Sequence, residues 1–214
     1  MVIAIDGPAG AGKSTVARAL AERLGMTYLN SGAMYRCVAL SAIRTGTDFD
    51  DEAGLAELVR GLDISVGRVG VRLNGEDVTD AIRAPDVSAA ASRVSVHRSV
   101  RSALVERQRE LIDAADYVAE GRDIGTVVSP DAPLKVYLTA SEDERARRRA
   151  AETGEPLEDV SSDLASRDDR DRGREHGALR PAADATEVDT TGLAVDQVVE
   201  RIAAMARDRG LAGR

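Results

Sequence analysis

The sequence predicts an α/β fold: a doubly wound, mostly parallel sheet of five strands in three layers, with a small antiparallel insertion. Three observations carry that prediction. Five short strand-like segments alternate with stretches of helical period, as in a parallel sheet covered by helices. A glycine-rich turn joins the first segment to the first helix, and residues 62 to 78 break the pattern with a period of two around Asn74-Gly75, the strongest short hairpin signal. In such a sheet, ligands bind outside the carboxyl ends of the strands.

Taken in order, Val2-Ile3-Ala4-Ile5 is apolar and reads as a buried strand running into Gly7-Pro8-Ala9-Gly10-Ala11-Gly12. Beyond Lys13-Ser14-Thr15, Val16, Leu20 and Leu24 recur at i, i+4 and i+8 with Arg18, Glu22 and Arg23 between them, an amphipathic helix. A short strand at Met26 to Leu29 precedes helical stretches near 33–44 and 52–60. In the insertion, Val69, Val71 and Leu73 alternate with Gly70 and Arg72. Helical period returns with Val100, Leu104 and Leu111, and Tyr117 to Glu120 and Leu134 to Leu138 read as two further buried strands. Charged helices from Glu142 to Glu152 and from about Glu158 to Arg172 flank the break Thr153-Gly154-Glu155-Pro156. Thr186 to Asp189 is the last strand, and Val195, Val198, Val199 and Ile202 mark a closing helix.

Composition narrows the function. The chain has 214 residues, a net charge of −8 and only 2% aromatic residues. That length suits one core with small satellites. Acidity and aromatic poverty argue against a nucleic-acid polymer as partner, which calls for a basic stripe or a stacking platform. One cysteine, Cys37, and two separated histidines, His97 and His176, supply neither a disulfide nor a His/Cys metal cluster. No apolar run approaches the ~18 residues of a membrane span, and no basic stretch precedes Val2 as a signal peptide would require. A soluble, cytoplasmic protein is expected.

The strongest motif is Gly7-Pro8-Ala9-Gly10-Ala11-Gly12-Lys13-Ser14, a complete G-x-x-x-x-G-K-[ST] in the required strand-to-helix context. This is a P-loop. Backbone N–H groups turn inward around phosphate oxygens, the helix N-terminus adds its positive end, and Lys13 supplies a point charge for the β- and γ-phosphates of a nucleotide. Ser14 is the expected magnesium ligand. With lysine only at 13 and 135, the Asn-Lys-x-Asp sequence by which guanine-specific switches read their base is absent, and a small phosphotransferase is favoured.

A phosphotransferase needs a second anion site facing the P-loop. Arg36 follows the second strand, Arg122 follows the third, and Arg167, Arg170, Arg172 and Arg174 lie in one stretch. On a helix, Arg167, Asp171 and Arg174 share a face. For that segment alone, the alternation Arg167-Asp168-Asp169-Arg170-Asp171-Arg172 equally describes a solvated salt-bridge helix. The cluster at 145, 147, 148 and 149 is expected to include plain surface arginines.

Several segments together resemble the bacterial cytidylate kinases: Asp6 to Lys13, Asn30-Ser31-Gly32-Ala33-Met34-Tyr35-Arg36, Glu120-Gly121-Arg122-Asp123-Ile124-Gly125-Thr126-Val127-Val128, Pro130-Asp131-Ala132, and Arg167 to Arg172. They fall in that family's order from the first strand to Asp189. The resemblance implies a core of residues 1–32, 110–150 and 174–214. It further implies an acceptor-binding domain of 33–109 carrying the antiparallel insertion, and a lid with its arginine-rich helix at 151–173. The implied activity is transfer of the γ-phosphoryl group of ATP to CMP or dCMP, with Mg²⁺, by a monomer.

Position by position, the resemblance puts ATP on Gly7, Pro8, Ala9, Gly10, Ala11, Gly12, Lys13, Ser14 and Thr15, with Arg148 and Arg170 brought by the lid. Ser31, Tyr35 and Arg36 line the acceptor site, and Arg36, Arg122 and Arg174 hold the acceptor phosphate. Arg167 and Asp171 lie near the ribose. Lys13, Arg122, Arg170 and Arg174 are the charges at the transferring group. Base recognition falls to Ser92, Arg101 and Asp123. Cytosine presents an N4 amino donor with N3 and O2 acceptors, which a carboxylate and a cation complement and which uracil inverts. Ser92, within Ser88-Ala89-Ala90-Ala91-Ser92, reads equally as a helix-packing residue. Glu120 is a candidate for the magnesium hydration shell. Two alternatives stay open: another small-acceptor P-loop kinase, of the dephospho-coenzyme A or shikimate type, or a non-catalytic nucleotide-binding module.

Overall fold

Strand β1 (Val2–Asp6) is apolar on both sides because it lies in the middle of the larger sheet, with all five residues buried. The computed structural model describes residues 1–67 and 70–211. The sheet has the order β2-β6-β1-β7-β8, with β2 (Thr27–Asn30), β6 (Tyr117–Gly121), β7 (Leu134–Thr139) and β8 (Thr186–Asp189). β1 pairs in parallel with β6, bringing Asp6 level with Gly121, and with β7, bringing Asp6 level with Tyr137. β7 pairs in parallel with β8. Helices α1 (Lys13–Leu24) and α8 (Val195–Asp208) bury Leu20, Ala21, Val199 and Ile202 against Ile3, Val136 and Leu138. The expected doubly wound α/β sheet is thus present, and its strand order reverses beside β1, whose carboxyl end opens into the P-loop.

The chain divides into two compact units, Met1–Tyr28 with Ile112–Arg214, and Leu29–Leu111. The second is mainly helical: it holds α2 (Ser31–Thr45), α3 (Glu52–Gly61), α4 (Pro85–Val94) and most of α5 (Arg98–Ala114), with a three-stranded antiparallel sheet of β3 (Ile64–Gly67), β4 (Gly70–Leu73) and β5 (Glu76–Asp77). Asn74 and Gly75 form the two-residue turn between β4 and β5, both with positive φ (51° and 83°), as a type I′ hairpin requires. Val69, counted in the expected alternation, lies outside the described residues. Helix α4 was not marked by long apolar residues; it buries Val87, Ala90, Ala91 and Val94, a helical stripe made half of alanine. In the first unit, α6 (Glu142–Thr153) and α7 (Leu157–Arg172) form a helical pair. Among the described residues, no helix is long and apolar enough to cross a membrane.

Candidate active site

The P-loop owes its shape to contacts that only glycine permits. Gly7 has φ 150°, and a Cβ there would lie 2.1 Å from the Leu138 carbonyl oxygen; at Gly10 (φ 76°) it would lie 2.9 Å from the Arg145 Cβ. Three of the loop's carbonyls face side-chain donors. The Lys13 ammonium donates to Pro8 O at 2.6 Å, Arg145 Nη1 donates to Ala9 O at 3.0 Å, and the Thr190 hydroxyl, whose shorter contact is Thr139 O at 2.9 Å, lies 3.3 Å from Ala11 O. The Ala9 N–H donates to Asp168 at 3.2 Å. With these carbonyls turned outward, the N-terminal end of α1, which Gly12 leaves without a side-chain cap, presents its amides as an anion site.

Arg145 and Asp168 are the buried frame of this loop, joined at 2.5 Å between α6 and α7. Ala9 packs with Ala146, Val160 and Leu164 from the same two helices. Of the arginines at 145–149, Arg145 is therefore structural and Arg147 is exposed against Glu144. Arg148 donates to the Thr190 hydroxyl at 3.0 Å and to its carbonyl at 2.7 Å, and its Nη1 lies 3.5 Å from where a Gly12 Cβ would be. It sits beside the P-loop.

Charge converges on Lys13, which is buried. Loss of hydration and the nearby Arg122 push its ammonium down to about 7, against the pull of Glu120, Asp168 and Asp6. Arg122, just past β6, donates from Nε to Asp171 at 2.8 Å, and Arg174 takes the other Asp171 oxygen. Arg174 lies beyond the last helical residue, Arg172, so it reaches Asp171 from the following loop and not along the helix face expected from spacing. Burial raises the Asp171 carboxyl, but Arg122 and Arg174, with Arg167 behind them, hold it below the usual carboxylate range. Asp171 thus spreads two arginines as a pair. Arg170 is exposed near the end of α7, and Arg167 is half-buried.

Asp6 closes β1 and was not singled out by the sequence, although a carboxylate ending an otherwise apolar strand is a signal. Its two oxygens accept from Ile124 N–H and Gly125 N–H, each at 2.8 Å. This holds the short π-helical turn Ile124–Val128 directly behind Asp123, which is itself buried. In the second unit, Ser31 opens α2 behind the Asn30 cap, whose oxygen accepts from Ala33 N–H at 2.9 Å. Arg36 folds back to 3.5 Å from where a Gly32 Cβ would be. The Arg101 guanidinium lies 5.8 Å from the centroid of the Tyr35 ring, and Ser31, Ser92 and Arg101 are buried. His97 bonds the Phe49 carbonyl at 2.7 Å, and Cys37 is buried in α2.

Among the described residues, no group of three or more His, Cys, Asp or Glu could hold a metal by itself. Magnesium asks for a different set, one or two protein oxygens completed by substrate phosphates and water. Ser14, exposed at the start of α1, fits as the direct ligand. Nearby on β2, the Tyr28 phenol donates to Glu120 at 2.7 Å.

Residues 3–208 match the family model described as cytidylate kinase. A cytidylate kinase of Geobacter sulfurreducens is 46% identical over 98% of this chain and 94% of its own length. One of Solibacter usitatus is 47% identical over 100% of this chain and 95% of its own. In fold, the chain resembles a shikimate kinase from Acinetobacter baumannii solved in complex with shikimate, with a TM-score of 0.51 at 19% identity, covering 98% of this chain and 94% of that one.

Proposed function

The chain belongs to the cytidylate kinase family, and from that premise we propose how its residues divide the transfer of the γ-phosphoryl group of ATP to CMP or dCMP, giving ADP and CDP or dCDP. One observation carries the reading: Arg122, paired with Arg174 through Asp171, acts electrostatically on the P-loop Lys13. A donor-phosphate site and an arginine pair suited to an acceptor phosphate are thus neighbours. That arrangement serves in-line transfer, in which the protein supplies position and positive charge.

In this reading the α1 amides and Lys13 hold the β- and γ-phosphates, and Thr15, Arg148 and Arg170 complete the ATP contacts. Arg36, Arg122 and Arg174 hold the acceptor phosphate. An acceptor phosphate oxygen is already anionic near neutral pH, so no general base is required of the chain. Arg167 serves the ribose, and Asp171 serves it chiefly by setting its two arginines. Ser31 and Tyr35 line the acceptor site, and Ser92, Arg101 and Asp123 read cytosine. Residues 33–109 form the acceptor-binding domain and 151–173 the lid, whose closure excludes water that would otherwise be phosphorylated. Magnesium, when bound, adds positive charge at the β- and γ-oxygens, and Ser14 would hold it. The enzyme acts as a cytoplasmic monomer in pyrimidine nucleotide metabolism.

The test is an acceptor panel with Mg·ATP. CMP and dCMP should exceed UMP, AMP, shikimate and dephospho-coenzyme A in kcat/KM. No advantage for the cytidine nucleotides would overturn the assignment of acceptor.

A further inference from the structure

No motif marks Thr190, yet three elements of the first unit meet on it. It follows β8 directly and is 2% exposed. Its N–H donates to the Thr139 carbonyl at the end of β7 at 2.8 Å, which fixes its backbone against the sheet. Its hydroxyl lies 2.9 Å from that same carbonyl and 3.3 Å from the P-loop carbonyl of Ala11. From α6, Arg148 donates through Nη1 to the hydroxyl at 3.0 Å and through Nη2 to the Thr190 carbonyl at 2.7 Å. The Arg148 Nε donates to Glu144, one turn earlier, at 3.0 Å.

We propose that Thr190 is a positioning residue for the phosphoryl donor, acting through the Arg148 guanidinium. The direction of each bond follows from donor and acceptor capacity. A guanidinium only donates, so the Thr190 hydroxyl accepts from Arg148 and turns its own hydrogen to a carbonyl, that of Thr139 or Ala11. All three guanidinium nitrogens then have a protein acceptor, two of them on Thr190, where the planar fork fits a pair of oxygens. A long side chain that is mobile before its ligand arrives must be ordered on binding, at a cost in affinity. Arg148 is ordered beforehand, with Nη1 standing 3.5 Å from where a Gly12 Cβ would be, at the glycine that precedes Lys13. Each Nη nitrogen carries a second N–H that these contacts do not use, so the held fork keeps donors for the oxygens of an anion. Without the hydroxyl, Nη1 would face a methyl group, and one of the two oxygens that set the guanidinium plane would be gone.

This inference rests on the reading of Arg148 as an ATP contact, and the experiment separates the two. Calorimetry on the full chain gives the dissociation constants for Mg·ATP and for CMP, each ligand alone. Thr190→Val keeps the shape of the side chain and removes the hydroxyl. It should raise the ATP constant about 3- to 10-fold and leave the CMP constant at the wild-type value. Thr190→Ser, which restores the hydroxyl, should recover most of the loss. Arg148→Met should raise the ATP constant at least as far, and adding Thr190→Val to it should cost nothing more. Packing alone would not give that result, because a packing defect weakens ATP equally with or without the Arg148 guanidinium. Thr190→Ala, which also lacks the hydroxyl, serves if the Val variant folds poorly. A wild-type ATP constant in the Thr190 variants with a raised one in Arg148→Met overturns the role of Thr190 alone. Equal rises for ATP and CMP, or losses that add in the double variant, overturn it as well. A wild-type ATP constant in Arg148→Met overturns the ATP reading of Arg148 and this inference with it.

Discussion

Arg145 and Asp168 form a buried ion pair closed over the backbone of a single P-loop residue: Arg145 donates to the Ala9 carbonyl while Asp168 accepts the Ala9 N–H. Neither charge is solvated, so each depends on the other and on that peptide. Removing one partner strands the other. Arg145→Met or Asp168→Leu should each cost about 3–5 kcal/mol in urea unfolding. The double replacement Arg145→Met with Asp168→Leu should cost less than the sum, because it leaves no buried charge. Additive losses would mean the two residues act separately.

Asp6 gives stability a defined pH dependence. Burial pushes its carboxyl up to about 6 despite the Gly125 and Ile124 amides, which favour its charged form; Asp123 adds to the rise and Lys13 opposes it. Folded, Asp6 therefore holds a proton between its unfolded value of 3.8 and about 6 that the unfolded chain has released. Its contribution is full below 3.8 and lost as pH rises through 6, about 3 kcal/mol in all. Compared from pH 4 to 7.5, wild type should lose unfolding free energy relative to Asp6→Asn as pH rises through about 6, because the variant carries no group that ionises there. Parallel curves would show that Asp6 is ionised throughout.

The contrast between Lys13 and Asp168 shows how far the sequence was legible. Lys13 and its glycines were legible because a P-loop is local: the residues that make the strand, the turn and the helix N-terminus are contiguous. Asp168 was hidden in an Arg/Asp alternation that describes a solvated helix equally well; what distinguishes it is Ala9, 159 residues away. Tyr28 meets Glu120 across 92 residues, and no spacing announces it. Strands β1, β6 and β7 were legible from their apolar runs, and α4 less so because alanine and serine make up most of its buried face. Ile124-Gly125-Thr126-Val127-Val128 would pass for strand; the Asp6 carboxylate, capping two of its amides, makes it a turn of helix instead.

Lys13 should trade stability for turnover. Burial and Arg122 hold its ammonium down to about 7, so the folded protein bears a cost for the charge at pH 6 that bound phosphates would relieve. Lys13→Ala is expected to lower kcat by about 10³-fold while folding at least as stably as wild type in urea at pH 6. Unchanged turnover would remove the P-loop assignment.

Asp123 should decide the base. Its carboxylate suits the cytosine N4 amino group and would face a carbonyl oxygen in uracil, a mismatch of about 1–3 kcal/mol when buried. Because Asp123 is buried and the turn behind it is pinned by Asp6, it has little room to swing away from the wrong base. Asp123→Ala should therefore lower kcat/KM for CMP roughly 10- to 100-fold and leave that for UMP nearly unchanged or raised, so that the preference collapses from the CMP side. Asp6→Asn, which disturbs the amides holding that turn, should narrow the preference in the same direction by a smaller factor. Equal losses for the two nucleotides in Asp123→Ala would mean that this carboxylate supports the site without reading the base.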